Sequence, residues 1–392
     1  MQHYFFQLGN TPELSVAELN AVVGAEFVVQ VSPILAKVEL KSEERAKELV
    51  DLLGGTVKVI KEIQEIKTTD IEEIKTIIVD HLTHISEGDK IHFGFSELGR
   101  DHLEKIEGFD LKSLLQNKGI NSRYVEGSRN GLSAAILLHK KRVKEIYLLS
   151  TNDGVYLGET IAVQDIDDWT HKDRNKPYFD RKKGMLPPKV ALIMVNIAIG
   201  DNPVQENRKN ILLDPFCGTG TVAIEGLLTN LDVVASDLDA DSVAGTRRNL
   251  EWLKEYYPFT HEYTVFISDV SKIPPQKEKI QYIVTEPFLG KPKPNPAKLP
   301  FIFKGLEKLY LGAFKHWTTL LDDGASIAIV FPMVSITNSN GKEIVYNLDS
   351  LIDKLATFGY TTLSKPMLYS RPQAIVQRQI YRFKFNKENK EK

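Results

Sequence analysis

The sequence predicts a mixed α/β protein in two parts. An α+β region comes first, and a parallel sheet with helices on both faces follows. Three observations predict this. Proline divides the chain: 16 of its 18 prolines lie at or after Pro177, and none falls between Pro33 and Pro177. In the second part, short apolar strand-like runs alternate with longer amphipathic ones. The 392 residues are 42% hydrophobic and 26% charged, which suits two or three domains with real cores.

Composition removes several function classes. A single cysteine excludes a disulfide framework and a cysteine-built zinc site. The 50 Lys and Arg balance 52 Asp and Glu, so bulk charge gives no support for nucleic-acid binding, although a local basic face stays open. No apolar run approaches the roughly 20 residues of a membrane helix. The start, MQHYFFQLGN, lacks the basic opening and long apolar stretch of a signal peptide. The expectation is a cytoplasmic protein with no membrane partner.

In the first part, HYFFQLG is a strand, and Ser15 is placed to cap the helix SVAELNAVVG. EFVVQV and AKVEL are strands around Pro33. SEERAKELVDLLGG is a helix with Ser42 at its N-cap and Gly54-Gly55 at its stop. TVKVIKEIQEI alternates as a strand. This order suggests a ferredoxin-like unit over 1–70. From Ile71 come a helix, the strand KIHFGFSEL, the helix DLKSLLQNKG, the strand SRYVEG and the helix LSAAILLHKKR. EIYLLST and VYLGETIAV form a hairpin around Asn152-Asp153-Gly154. The polar, charged segment 164–184 reads as a linker.

The second part, 185–392, opens with the helix PPKVALIMVNIAI, prolines first. NILLDPF, LDVVASD, VFISD, YIVTEPF and ASIAIVFP are strands. GTVAIEGLLTN, DADSVAGTRRNLEWL and residues 304–321 are helices, and the tail ends in two strands around Pro366 and Pro372.

LLDPFCGTGT, residues 212–221, is the strongest chemical signal. A strand ends at Asp214, Gly218 and Gly220 follow, and a helix opens, so a ligand can approach the backbone beyond the strand ends. A dinucleotide is one candidate, but a carboxylate at Asp214 repels a pyrophosphate. It suits the amino group or sulfonium of S-adenosylmethionine. Asp237, 19 residues after Gly218, ends the next strand where a carboxylate accepts ribose hydroxyls. Asp269, ending VFISD, is placed to reach the adenine amine. The competing reading is that Asp237 and Asp269 only cap the turns or helices that follow them. Cys217 is a small filler, because nothing nearby suggests an activating base.

The fourth strand ends Thr285-Glu286-Pro287-Phe288-Leu289-Gly290. This half resembles the class I methyltransferases of exocyclic base amines, whose fourth strand ends in Asp or Asn, Pro-Pro and an aromatic. HYFFQLGNTPELSVAELNAV, GMLPPKVALIMVNIA, DPFCGTGTVAIEG, SDLDADSVAGTRRNL and RPQAIVQRQIYRF extend the likeness over nearly the whole chain. Together they resemble the THUMP-domain tRNA guanosine N2-methyltransferases. The resemblance implies a ferredoxin-like domain over 1–70, a THUMP RNA-binding domain over 71–163, and a Rossmann-like methyltransferase domain over 185–392. It implies S-adenosylmethionine as cofactor, held by Asp214, Phe216, Gly218, Thr219, Gly220, Asp237, Leu238 and Asp269. Glu286, Pro287 and Phe288 take the catalytic positions, and a guanosine in tRNA, at position 10, is the target. The departure is that Glu286 replaces the family's Asp, while Phe288 and Leu289 replace the second proline and the aromatic. Three rivals remain: an rRNA guanine-N2 methyltransferase, an RNA-binding protein with a degenerate site and, more distantly, a DNA amino-methyltransferase.

Charge is uneven along the chain. Residues 118–144 carry seven basic residues and one acid, whereas residues 1–100 carry ten bases against 17 acids. Arg123, Arg129, Lys140, Lys141 and Arg142 are candidate RNA contacts, with Lys291 and Lys293 beside the Glu-Pro-Phe motif. Solvated faces are the bland alternative for each group. A third cluster holds Arg371, Arg378, Arg382 and Lys384. His81 and His84 have ligand-like spacing but no completing residue, so no metal is expected. A small activator subunit is not implied.

Overall fold

The computed structural model describes residues 1–86, 90–99, 105–128, 130–140, 142–180, 185–205, 208–337, 340–371 and 373–390. The chain forms two compact units, Met1–Thr170 and His171–Lys392. No helix among the described residues is long and apolar enough to cross a membrane.

The first unit begins β1 (Gln2–Leu8), α1 (Pro12–Val23), β2 (Val28–Ser32), β3 (Leu35–Leu40), α2 (Glu43–Leu52) and β4 (Thr56–Ile66). It continues with α3 (Ile71–Ile85), β5 (Ile91–Gly99), α4 (Gly108–Asn117), β6 (Ser122–Tyr124), α5 (Ala134–His139), β7 (Val143–Ser150), β8 (Val155–Val163) and α6 (Ile166–Thr170). Its strands make one sheet in the order β2-β3-β1-β4-β8-β7-β5-β6. Strands on either side of residue 70 therefore share a sheet, joined where β4 runs antiparallel to β8.

One expectation is corrected. Ser15 does not cap α1. The helix starts at Pro12, whose ring presets the first turn and has no N–H to leave unpaired. Ser15 is buried in the helix and donates its hydroxyl to Thr11 O at 3.1 Å. The segment after Val163, expected as a linker, begins with α6. Asp165 accepts the N–H groups of Asp167 and Asp168 at 2.9 Å to start α6, and the second unit opens with a wide helical turn over 171–175.

The second unit contains α7 (Pro188–Asp201), β9 (Ile211–Asp214), α8 (Thr221–Leu228), β10 (Asp232–Asp237), α9 (Ala240–Tyr256), β11 (Tyr263–Ile267) and β12 (Ile280–Thr285). There follow α10 (Leu299–Trp317), β13 (Leu321–Thr337), β14 (Glu343–Tyr346), α11 (Asp349–Ala356), β15 (Phe358–Thr362), β16 (Met367–Tyr369) and β17 (Gln377–Lys390). The path β11-β10-β9-β12-β13-β17-β15 forms the sheet, with β14 on β13 and β16 on β17. Pairing is parallel from β11 to β13 and antiparallel beyond it. Helix α10 starts at Leu299 rather than residue 304, because Pro300 is tolerated in its first turn. Strand β14 and helix α11 escaped the sequence reading. Phe314 and Trp317 of α10 pack with Phe331, Tyr360 and Phe383 in the main core. This core holds β12 and β13 in register beneath the crevice described next.

Candidate active site

Chain order reverses across the β9–β12 pair, since β10 and β11 extend one way and β12 and β13 the other. The crevice beyond the carboxyl ends of β9 and β12 is the switch point where open α/β sheets take ligands. Asp214 ends β9 and Thr285 ends β12. The Thr285 hydroxyl donates to Asp214 Oδ1 at 2.7 Å, and both residues are buried. Burial pushes the Asp214 carboxyl up to about 7; the Thr285 and Phe216 donors oppose the rise, and the Asp237 and Glu286 charges add to it.

The glycine loop is fastened from both sides. Cys217 N–H donates to Ser236 O at 2.9 Å, and Gly220 N–H to Cys217 O at 2.7 Å. Gly218 N–H donates to Asp237 Oδ2 at 2.9 Å. Gly218 has φ +52° and Gly220 φ +80°, the left-handed region that favours glycine. A Cβ on Gly220 would lie 2.9 Å from Thr246 Cγ2, whereas one on Gly218 would meet nothing closer than the Phe216 carbonyl at 4.0 Å. Open space therefore lies directly before Gly218. Thr219 is buried, and Phe216 packs half-buried against the core. Cys217 is buried and its thiol is pushed far up by desolvation, so it is an inert filler.

Helix α9 supplies two residues that the sequence reading missed. Thr246 donates to Gly218 O at 3.0 Å. Asn249 donates to Thr219 O at 2.7 Å and exchanges two 2.8 Å hydrogen bonds with the Tyr178 backbone. Their spacing of three puts both on one helix face, the only available signal.

Asp237 and Asp269 both do the capping that the bland reading assigned them. Asp237 Oδ1 accepts Asp239 N–H at 3.0 Å. Asp269 Oδ1 accepts the Ser271 N–H and hydroxyl at 2.8 and 2.7 Å, and these bonds hold its pKa below the usual carboxylate range. Each carboxylate has lone pairs beyond those used. Leu238 is 73% exposed and Ile267, paired with Asp237 in the β10–β11 register, is 58% exposed. Two bare apolar side chains thus adjoin Asp237. Ile267 is the last residue of β11, and that strand end leaves it exposed.

At the end of β12, Glu286 is half-buried and Arg378 Nε donates to its Oε1. Pro287 is buried, and Phe288 is 60% exposed. Tyr310 fixes the turn by donating its hydroxyl to Phe288 O at 2.7 Å. Lys291 and Lys293 are exposed on the loop that follows. Each side chain of the third basic cluster has a partner inside the unit, although Arg371 stays exposed. Besides Arg378, Arg382 makes a two-point contact with Asp201, Lys384 reaches Asp201 O at 3.4 Å, and Arg371 donates to Met185 O.

In the first unit, Arg123, Lys140 and Arg142 are exposed and line a cleft of about 480 Å³ together with His92, Tyr124 and Glu126. Lys118 and Lys144 are instead paired with Asp80 and Glu159. Arg129 and Lys141 lie outside the described residues. His81 Nε2 sits 3.2 Å from Glu159 Oε2, and no group of three or more His, Cys, Asp or Glu among the described residues could hold a metal ion.

Residues 178–293 match the family described as RMKL-like, methyltransferase domain. A tRNA (guanine(10)-N2)-dimethyltransferase of Methanothermobacter thermautotrophicus is 34% identical over 143 residues, 36% of this chain and 38% of the relative. The protein of that name in Pyrococcus abyssi is 23% identical over 373 residues, 91% of this chain and 98% of the relative. The chain thus spans little more than a third of the first relative and almost all of the second. TrmN from Thermus thermophilus shares the fold, with a TM-score of 0.53 at 13% identity over 98% of this chain and 100% of that one. Residues 178–293, within the second unit, are thus similar to a methyltransferase domain.

Proposed function

We propose that the chain is an S-adenosylmethionine-dependent methyltransferase acting on the exocyclic N2 amine of a guanosine in tRNA. The observation that carries this reading is the switch-point crevice. There, a glycine loop closed onto Asp237 and a buried carboxyl at Asp214 adjoin the Glu286-Pro287-Phe288 strand end. The names of the two archaeal relatives support guanine N2 of tRNA as the target.

The residues present fit the cofactor. The open space before Gly218 admits a ligand to the backbone, and Asp237 retains acceptor capacity for ribose hydroxyls. Leu238 and Ile267 offer apolar surface to a purine. Asp214, Phe216, Thr219, Gly220 and Asp269 complete the proposed cofactor set. S-adenosylmethionine supplies an electrophilic methyl group on a cationic sulfonium. Asp214 at the crevice floor favours positive charge once ionised. Glu286 accepts a hydrogen bond from the N2 amine and turns its lone pair toward the methyl group. The cofactor would be held by Asp214, the glycine loop and Asp237, and would supply its methyl group to the amine, leaving a neutral thioether. The nitrogen then loses one proton to Glu286 or to water. Phe288 stacks on the base, and rate depends chiefly on positioning.

Arg123, Lys140 and Arg142 around their cleft are the proposed phosphate contacts of the first unit, with Lys291 and Lys293 those of the second. The test is incubation of the purified protein with S-adenosylmethionine and tRNA or rRNA, followed by nucleoside mass spectrometry. N2-methylguanosine in the tRNA supports the reading. Cofactor binding with no methylated guanosine in either RNA overturns it.

A further inference from the structure

We propose that Arg378 is a specificity residue that reads guanine O6 while it orients Glu286. This inference rests on the function proposed above. Strand β17 brings Arg378 to the end of β12, where its Nε donates to Glu286 Oε1 and the two side chains are only 12% and 14% exposed. Arg382, four residues on, spends both Nε and Nη2 on Asp201. Arg378 differs, because among the described residues only its Nε is hydrogen-bonded. Its guanidinium carbon lies 5.9 Å from the centre of the Tyr369 ring, which limits its swing. The pair therefore presents one uncommitted carboxylate oxygen beside uncommitted guanidinium N–H groups.

That pattern is complementary to one base edge. Guanine carries the O6 acceptor next to the N1–H and N2 amine donors. A carboxylate oxygen meets the amine while a guanidinium N–H meets O6, a pairing that arginine makes with guanine elsewhere. Adenine puts an amine where guanine has O6, so two donors would oppose each other. The pair also accounts for the longer acid. Glu286 sits at the strand end with a methylene more than aspartate, and Arg378 holds the extended side chain in one orientation.

The experiment uses tRNA with guanosine or 2,6-diaminopurine at the methylated position. The analogue keeps the N2 amine and replaces O6 with an amine. The intact enzyme should show kcat/KM for guanosine at least about tenfold above the analogue, the scale of one good base contact. In Arg378→Met both rates should fall and their ratio should collapse to within about threefold. Arg378→Lys keeps the charge but loses the planar fork, so part of the ratio should survive. Calorimetric binding of S-adenosylhomocysteine reports whether each variant is folded. Equal rates in the intact enzyme overturn the inference without any variant. A wild-type ratio in Arg378→Met also overturns it, since a merely structural arginine would slow both bases alike. If the intact protein methylates no guanosine, the proposed function itself fails and this inference falls with it.

Discussion

The Thr285 hydroxyl donates to Asp214 Oδ1 across the β9–β12 pair, at 2.7 Å and out of contact with water. This bond ties the end of β12 to the end of β9. Its acceptor is also the carboxyl that burial pushes up to about 7.

The first prediction is a pH dependence. The folded-state pKa of Asp214, about 7, lies above its ordinary 3.8, so folding favours the protonated acid. The stability this gives is present below pH 3.8 and is lost as pH rises through about 7. Thermal unfolding of the unliganded protein should show that decline, and Asp214→Asn should flatten it. A cationic ligand prefers the ionised acid, so S-adenosylmethionine affinity should rise with pH through this window. Calorimetry in buffers of different ionisation enthalpy should detect proton release at pH 6.

Asp237 anchors the glycine loop and is the proposed acceptor for the ribose hydroxyls. Asp237→Ala removes acceptors for Gly218 and Asp239 N–H as well as the proposed ribose contacts. Loss of hydrogen bonds to a charged group costs about 1.5–3 kcal/mol each. Cofactor affinity should fall at least about tenfold by calorimetry, and the melting temperature should drop as the loop loosens. Affinity unchanged from wild type would remove Asp237 from the site.

Gly220→Ala tests the loop without touching a polar group. The residue has φ +80° and its added Cβ would press on Thr246. The left-handed conformation alone costs a non-glycine residue about 1–2 kcal/mol. The variant should melt at lower temperature and bind cofactor more weakly. A variant as stable as wild type would show that the turn relaxes freely.

The cleft residues Arg123, Lys140 and Arg142 should act through phosphates. Changing all three to glutamine should weaken tRNA binding at low salt. The salt dependence should also become shallower, by about 0.7–0.9 for each phosphate left without its cation. Cofactor affinity should not change. A salt slope equal to wild type would assign these charges to solvent.

The sequence by itself determined the order of elements in the first six segments, the alternating second half, and the loop at 212–221. These are local properties, since strand and helix periods, caps and glycine positions are set by near neighbours in the chain. Asp214, Gly218, Gly220 and Asp237 were legible because one short motif and one fixed spacing carry them. Tertiary structure alone decided what surrounds them. Thr285 meets Asp214 from 71 residues away, Asn249 meets Thr219 from 30, and Arg378 meets Glu286 from 92. No local pattern encodes such pairs, because sheet order brings the strand ends together only after folding. The same cause gave Arg378 and Arg382 of the closing basic cluster carboxylate partners inside the unit. Arg378 and Arg382 lie on one face of β17, and what that face meets depends on β17 lying antiparallel against β13.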